Sequence, residues 1–233
     1  MLIPPQIYNQ DSLEALTRMD TGIFNLALID PPYFEYVTGH RKDKTDKLSQ
    51  PLVSQSREDQ LRTVQECIRT LKDGKSFWFF TNWQEAWWFQ QRFHTFLRNE
   101  IIWFKGNWAA GDLEGSFGDS YEVIFLGTKG RGWKYKGKRL HSVWGLADDE
   151  YDLRRVGTAR IHSTEKPVEL YRKIIELSTD EGDLIIDPYL GSGASAIAAM
   201  ETGRNFIGNE IDPEYFRRAK ERIDQWREMR NIS

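Results

Sequence analysis

The sequence predicts an α/β fold in which a doubly wound, mostly parallel sheet carries helices on both faces. Three observations predict it. Residues 25–30 are apolar on both faces and stop at Pro31, the pattern of a strand buried inside a parallel sheet. Strand-like and helix-like segments then alternate towards the C-terminus. Late in the chain, the glycines at 191 and 193 follow an apolar segment ending in Asp187 and open a helix of small residues. The 233 residues, 39% apolar and 13% aromatic, suffice for one substantial core, so a single domain over residues 1–233 is expected.

The elements follow in order. The strand at 25–30 presents Asp30 at its carboxyl end. Residues 38–55 are polar, charged and without a period, which predicts a mobile loop. Residues 56–71 read as a helix with Ser56 as N-cap and Gly74 as its stop, leading into a strand at 75–81. A second helix is expected over 82–99, followed by strands at 100–104 and 121–127. That helix carries Trp83, Trp87, Trp88, Phe89, Phe93 and Phe96, more aromatic surface than one helix face normally hides, so it either forms a homodimer contact or lies wholly in the core. Residues 128–160 show no framework pattern. Beyond them come a helix at 166–178, a short strand at 183–187, a helix from 193 to 203, a strand at 205–211, and a charged terminal helix capped by Asp212.

Several function classes are excluded by composition. No apolar run is long enough to span a membrane, and residues 1–11 have neither a basic nor an apolar leader region, so a cytoplasmic location is expected. Cys67 is the one cysteine, and His40, His94, His141 and His162 lack ligand spacing; no metal is expected. The net charge of −3 means that any nucleic-acid contact must come from a local basic surface. Lys129, Arg131, Lys134, Lys136, Lys138 and Arg139, interleaved with Trp133 and Tyr135, form one such stretch, although a charged stretch by itself reads equally as a solvated loop.

Two motifs carry chemistry. In Asp187-Pro188-Tyr189-Leu190-Gly191-Ser192-Gly193, a strand ends in a carboxylate and the glycines let backbone approach a ligand at a helix N-terminus. Glu210 ends the next strand, at the spacing where a carboxylate accepts hydrogen bonds from both ribose hydroxyls of a nucleoside cofactor. NAD and S-adenosylmethionine both carry that ribose, and chain order separates them. A dinucleotide domain opens with its glycine loop, whereas here only residues 194–233 follow, so the other strands come from upstream and a dehydrogenase is disfavoured.

The second motif is Asp30-Pro31-Pro32-Tyr33. Two prolines stiffen the turn and remove backbone donors, leaving the Asp30 carboxylate and the Pro31 carbonyl as acceptors. An amine on an aromatic ring is a poor nucleophile because its lone pair is delocalised. Two acceptors that hold its hydrogens would aim that lone pair at a sulfonium methyl, with Tyr33 as a face on which an extruded base stacks.

The order of these motifs, and the segments between residues 8 and 223, resemble the β-class S-adenosylmethionine-dependent DNA amino-methyltransferases. The resemblance implies a Rossmann-like sheet of the methyltransferase type in permuted order, with the catalytic motif before the cofactor loop. It implies methyl transfer from S-adenosyl-L-methionine to the exocyclic amine of a flipped base in double-stranded DNA. Adenine N6 is favoured because cytosine-N4 members usually place Ser where Asp30 stands; N4-cytosine transfer is the alternative, and a catalytically silent nucleic-acid-binding protein of the same fold a remoter one. Residues 162–170, His162-Ser163-Thr164-Glu165-Lys166-Pro167-Val168-Glu169-Leu170, are similar to the segment that lines the methionine end of the cofactor. The cofactor set implied is Asp11 at the adenine, Asp30, Thr164, Lys166, Asp187, Tyr189, Gly191, Ser192, Gly193 and Glu210. Residues 128–160 take the place of a target-recognition insertion, which assigns the basic stretch to DNA, and the loop 38–55 would lie beside the flipped base.

Overall fold

The computed structural model describes residues 5–33, 55–106, 114–115, 117–146, 150–154 and 165–231. The first element is β1 (Gln6–Asn9), a strand for which the sequence carries no pattern. Four residues are too few for a period to show. A short helix α1 (Ser12–Thr17) follows, capped by Asp11, whose Oδ1 accepts the Glu14 amide at 2.8 Å. β2 (Phe24–Ile29) is buried throughout, as its unbroken apolar run requires.

Ser56 caps α2 (Arg57–Thr70) as expected, accepting the Asp59 amide at 3.1 Å, and the helix ends within a residue of its expected bound, although Gly74 is not its stop. β3 (Leu71–Thr81) begins directly after it and contains Gly74 at φ +73°, inside the irregularity that shifts its register against β2. α3 (Trp83–Phe93) is shorter than expected, because β4 (Leu97–Phe104) begins before residue 100. β5 (Tyr121–Thr128) leads into the basic stretch, and β6 (Val143–Trp144) lies where no framework element was expected. The remainder follows the expected order: α4 (Val168–Ser178), β7 (Leu184–Asp187), α5 (Ala194–Glu201), β8 (Asn205–Glu210) and α6 (Pro213–Asn231), with Asp212 Oδ1 accepting the amides of Glu214 and Tyr215.

The strands form one eight-stranded sheet in the order β1-β8-β7-β2-β3-β5-β4-β6. β5 is antiparallel to both of its neighbours, and the other pairings are parallel. Leu170, Ile174 and Ile197 pack with Ala219 and Ile223 against one face, placing α4, α5 and α6 there. Leu16, Val64, Phe89 and Phe93 pack on the other, which carries α1, α2 and α3. Phe89 stacks on Phe79 with ring centroids 3.6 Å apart, and Trp88 lies half-buried near Arg57 and Arg92. Of the α3 aromatics, Trp83 and Trp87 remain exposed, so the surplus that suggested a dimer shrinks to two residues.

Chain connections diverge at β2 and β7. From β2 the chain crosses by α2 to β3 on one side; from β7 it crosses by α5, on the opposite face, to β8 on the other side. A crevice therefore opens outside the carboxyl ends of β2 and β7, where open α/β sheets take their ligands.

Candidate active site

Strand alternation brings three carboxylates to one face at the carboxyl end of the sheet. Leu26 and Leu28, Ile185, and Phe206 precede Asp30, Asp187 and Glu210 at alternate positions on β2, β7 and β8, and all four belong to the core beneath α4 and α5. The carboxylates thus reach the sheet's end on one face. A cavity of about 380 Å3 lies there, lined by Asp30, Pro31, Pro32 and Tyr33, by Asp11, by Lys166, and by Tyr189, Gly191, Ser192 and Glu210. Asp187 and Gly193 do not line it, and Thr164 lies outside the described residues.

The reason is visible in the loop. Asp187 is buried, with Oδ1 accepting the Tyr189 amide at 2.8 Å and Oδ2 the Ser195 hydroxyl at 2.5 Å, so it braces the turn from behind. Burial pushes its carboxyl up to about 7, against the opposing pull of those two donors. Gly193 is the N-cap of α5 at φ +76°, where a Cβ would come within 3.2 Å of Ile223 and 3.4 Å of Ala219, so the glycine permits close helix packing.

Glu210 does reach the cavity. Its Oε2 accepts the Gly191 amide and its Oε1 the Asp212 amide, each at 2.9 Å, which fixes the carboxylate in the plane of the loop. Burial raises its proton affinity, countered by these amides. A carboxylate offers about four acceptor sites, more than its backbone donors here occupy. On the opposite wall, the Tyr189 hydroxyl donates to Gln55 Oε1 at 2.6 Å, and Gln60 Nε2 donates to the Pro32 carbonyl at 2.7 Å, pinning the proline turn to α2.

Around Asp30 the structure joins Lys166 and Tyr33, both expected from the sequence, to Glu122 and Tyr171, which sequence reasoning missed. Lys166 Nζ donates to both Asp30 oxygens, at 2.8 and 2.7 Å, and lies 3.3 Å from Glu122 Oε2. Tyr33 donates to the same Glu122 oxygen at 2.8 Å, and Tyr171 approaches Asp30 Oδ2 at 3.5 Å. Burial, with Asp30 nearby, holds the Tyr171 phenol well above its ordinary range. The signal for Glu122 was a single acid at the second position of an otherwise apolar strand; the chain offered none for Tyr171, which reads as a helix residue facing the core.

The basic stretch is not brought to this cavity. β5 runs antiparallel, so the stretch leaves the sheet at the end opposite Asp30. Lys129 Nζ donates to the carbonyls of Arg69 and Leu71 at 2.8 and 2.7 Å, and Lys136 pairs with Asp180, so both serve internal contacts. Arg131, Lys134, Lys138 and Arg139 are exposed.

The N6/N4 methyltransferase family, a family of DNA methylases, matches residues 24–221. The chain belongs to this family. Among curated relatives, it is 26% identical to the type II methyltransferase M.HinfI of Haemophilus influenzae over 93% of its own length and 67% of that protein's. It is 29% identical to M.XycI of Xanthomonas campestris pv. cyanopsidis over 55% of its length, spanning 44% of the relative. The fold of this methylase-family chain matches solved structures of M1.HpyAVI in complex with S-adenosylmethionine (TM-score 0.70, 21% identity, 94% and 98% of the two chains) and of the cytosine-N4-specific PvuII DNA methyltransferase (0.72, 17%, 97% and 92%). Among the described residues no helix is long and apolar enough to cross a membrane, and no His, Cys, Asp and Glu cluster could hold a metal ion.

Proposed function

We propose that the chain transfers a methyl group from S-adenosylmethionine to the N6 amine of an adenine flipped out of double-stranded DNA. The observation that carries this reading is one cavity whose walls hold both the Asp30-Pro31-Pro32-Tyr33 turn and the Gly191–Glu210 hydrogen bond. A volume of about 380 Å3 is within the range of small-molecule sites. Glu210 would accept the ribose hydroxyls, Asp11 and Tyr189 would flank the adenine, and Lys166 would lie at the amino-acid end.

S-adenosylmethionine supplies a methyl group made electrophilic by a sulfonium. The residues do the rest. The Asp30 carboxylate and the Pro31 carbonyl accept the amine's two hydrogens and hold its lone pair towards the methyl, while Tyr33 stacks on the base. As the new N–C bond forms, the C–S bond breaks with its electrons moving to sulfur, leaving S-adenosylhomocysteine. The methylated amine releases one proton to Asp30 and from there to water. Lys166 balances the carboxylate throughout, and the lower dielectric of the crevice strengthens each of these interactions.

The chain is read as one methyltransferase domain, with residues 128–160 as its target-recognition insertion. Duplex contact is assigned to the exposed Arg131, Lys134, Lys138 and Arg139. β5 is roughly 27 Å long at about 3.4 Å per residue, a distance that about eight base pairs of duplex span, so these cations would meet phosphates away from the flipped base. The test is transfer of labelled methyl from S-adenosylmethionine to DNA, followed by nucleoside analysis. N6-methyladenine is the expected product. N4-methylcytosine would overturn the choice of base, and absence of transfer the whole reading.

A further inference from the structure

Asp30, Lys166, Glu122 and Lys105 form a chain of alternating charge that runs from the cavity wall into the core. Lys166 bridges Asp30 and Glu122, and Lys105 Nζ lies 3.8 Å from the other Glu122 oxygen. The side chains of Lys166, Glu122 and Lys105 are all at most 5% exposed. Burying two cations and the Glu122 carboxylate is costly unless the geometry is held and the remaining polar atoms are satisfied, so the core hydrophobics around them do not account for the arrangement.

Register brings the four together. Trp103 pairs with Glu122, and Thr81 with Val123, so Glu122, the second residue of β5, lies level with the end of β3. Ile124 and Leu126 follow Glu122 at alternate positions, as Ile101 and Trp103 precede Lys105 and Leu28 precedes Asp30; these neighbours share one core, so the charged groups share its face. Lys166 sits above this row, 5.4 Å from the ring centroids of both Tyr33 and Phe80. Glu122 is not among the residues lining the cavity, yet a single oxygen of it receives the Tyr33 hydroxyl and faces the Lys166 ammonium.

We propose that Glu122 is a positioning residue for methyl transfer, fixing at once the stacking face of Tyr33 and the ammonium that balances Asp30. The proposal rests on the methyl-transfer reading. Stacking and amine orientation both depend on the proline turn, and Glu122 ties this turn's aromatic end to β5. A tilt of the Tyr33 ring or a displaced Lys166 would misplace the amine while leaving the ribose end of the cavity, at Glu210, untouched.

The experiment is a double-mutant cycle on turnover at saturating substrates, with Glu122→Gln, Tyr33→Phe and the pair, alongside calorimetric binding of S-adenosylmethionine and thermal melting. Expected are a kcat loss of at least about tenfold in Glu122→Gln, cofactor affinity within about threefold of wild type, and a combined loss smaller than the product of the two single losses. Turnover within twofold of wild type in folded Glu122→Gln, or losses that multiply, would overturn the proposal. Tyr33→Phe keeps the ring and every ion pair, so it remains readable if Glu122→Gln does not fold; unchanged kcat there overturns the proposal equally. A wild-type chain that transfers no methyl to DNA sinks the methyl-transfer reading and this one with it, whereas transfer that survives both substitutions sinks this one alone.

Discussion

Lys166 Nζ lies within 2.8 Å of both oxygens of Asp30, although 136 residues separate the two in sequence. The ion pair joins the proline turn after β2 to the segment that begins α4, and it sets a fixed counter-charge beside the Asp30 carboxyl group. A carboxylate carries about four acceptor sites, so the bonds from Lys166 do not by themselves remove Asp30 from the role assigned to it.

Asp30→Ala is expected to lower methyl transfer at least about a hundredfold and to leave S-adenosylmethionine affinity within a few-fold, since the ribose end rests on Glu210. Lys166 keeps Glu122 as a partner, so the stability cost should be about 1–3 kcal/mol, at or below the range for an orphaned buried charge. Single-turnover rates and calorimetry on the same preparation check both halves. Turnover within tenfold of wild type would remove Asp30 from the chemistry.

The cofactor end makes the complementary prediction. Glu210→Ala should weaken S-adenosylmethionine binding by about 1–3 kcal/mol, because a charged acceptor for hydroxyl donors is removed and the amides of Gly191 and Asp212 lose their shared brace. The turnover number at saturating cofactor should fall far less than in Asp30→Ala. An unchanged dissociation constant would mean that the ribose is held elsewhere.

Legibility in the sequence divides along a physical line. Asp30, Gly191 and Glu210 were readable because each sits at a strand end or in a turn where backbone rules restrict the residue. The long apolar or periodic segments were readable for the same reason. β1 and β6 were not, being four and two residues long and recruited by pairing with β8 and β4 rather than by any pattern of their own. Glu122 and Tyr171 belong to the site only through tertiary register, which no local rule encodes. Asp187 is legible only in part: its position in the motif marks it as a cofactor residue, while its burial and its bonds to Tyr189 and Ser195, which brace the turn, are set by the packing around it.

That brace has a pH signature. Asp187 holds its proton up to about 7 in the folded chain, against 3.8 as its ordinary value. Between those limits the folded state binds more protons than the unfolded one, so this residue's contribution falls as pH rises from about 4 to about 7 and is constant above. Asp187→Asn keeps an acceptor for the Tyr189 amide and cannot ionise. Urea midpoints at pH 5 and pH 8 should therefore differ less in the variant than in wild type. Equal differences would show that the buried carboxyl is already ionised at pH 5.

The basic stretch allows its six cations to be sorted by function. At a net charge of −3 the protein as a whole repels the duplex, so affinity must come from a local cluster that releases phosphate counterions. Lys134, Lys138 and Arg139 are exposed, whereas Lys129 donates to two backbone carbonyls at the amino end of the sheet. Replacing Lys134, Lys138 and Arg139 together by Ala should weaken DNA binding and flatten the slope of log affinity against log salt by about one for each phosphate left without its cation, with S-adenosylmethionine binding unchanged. Lys129→Ala should instead lower stability by about 1 kcal/mol, as two carbonyls are deprived of a charged donor, and leave the salt slope at its wild-type value. Fluorescence anisotropy titrations between about 50 and 200 mM salt separate the two effects. A wild-type slope in the triple variant would make the stretch a solvated loop, and a flattened slope in Lys129→Ala would show that its ammonium leaves the carbonyls of Arg69 and Leu71 to meet a phosphate.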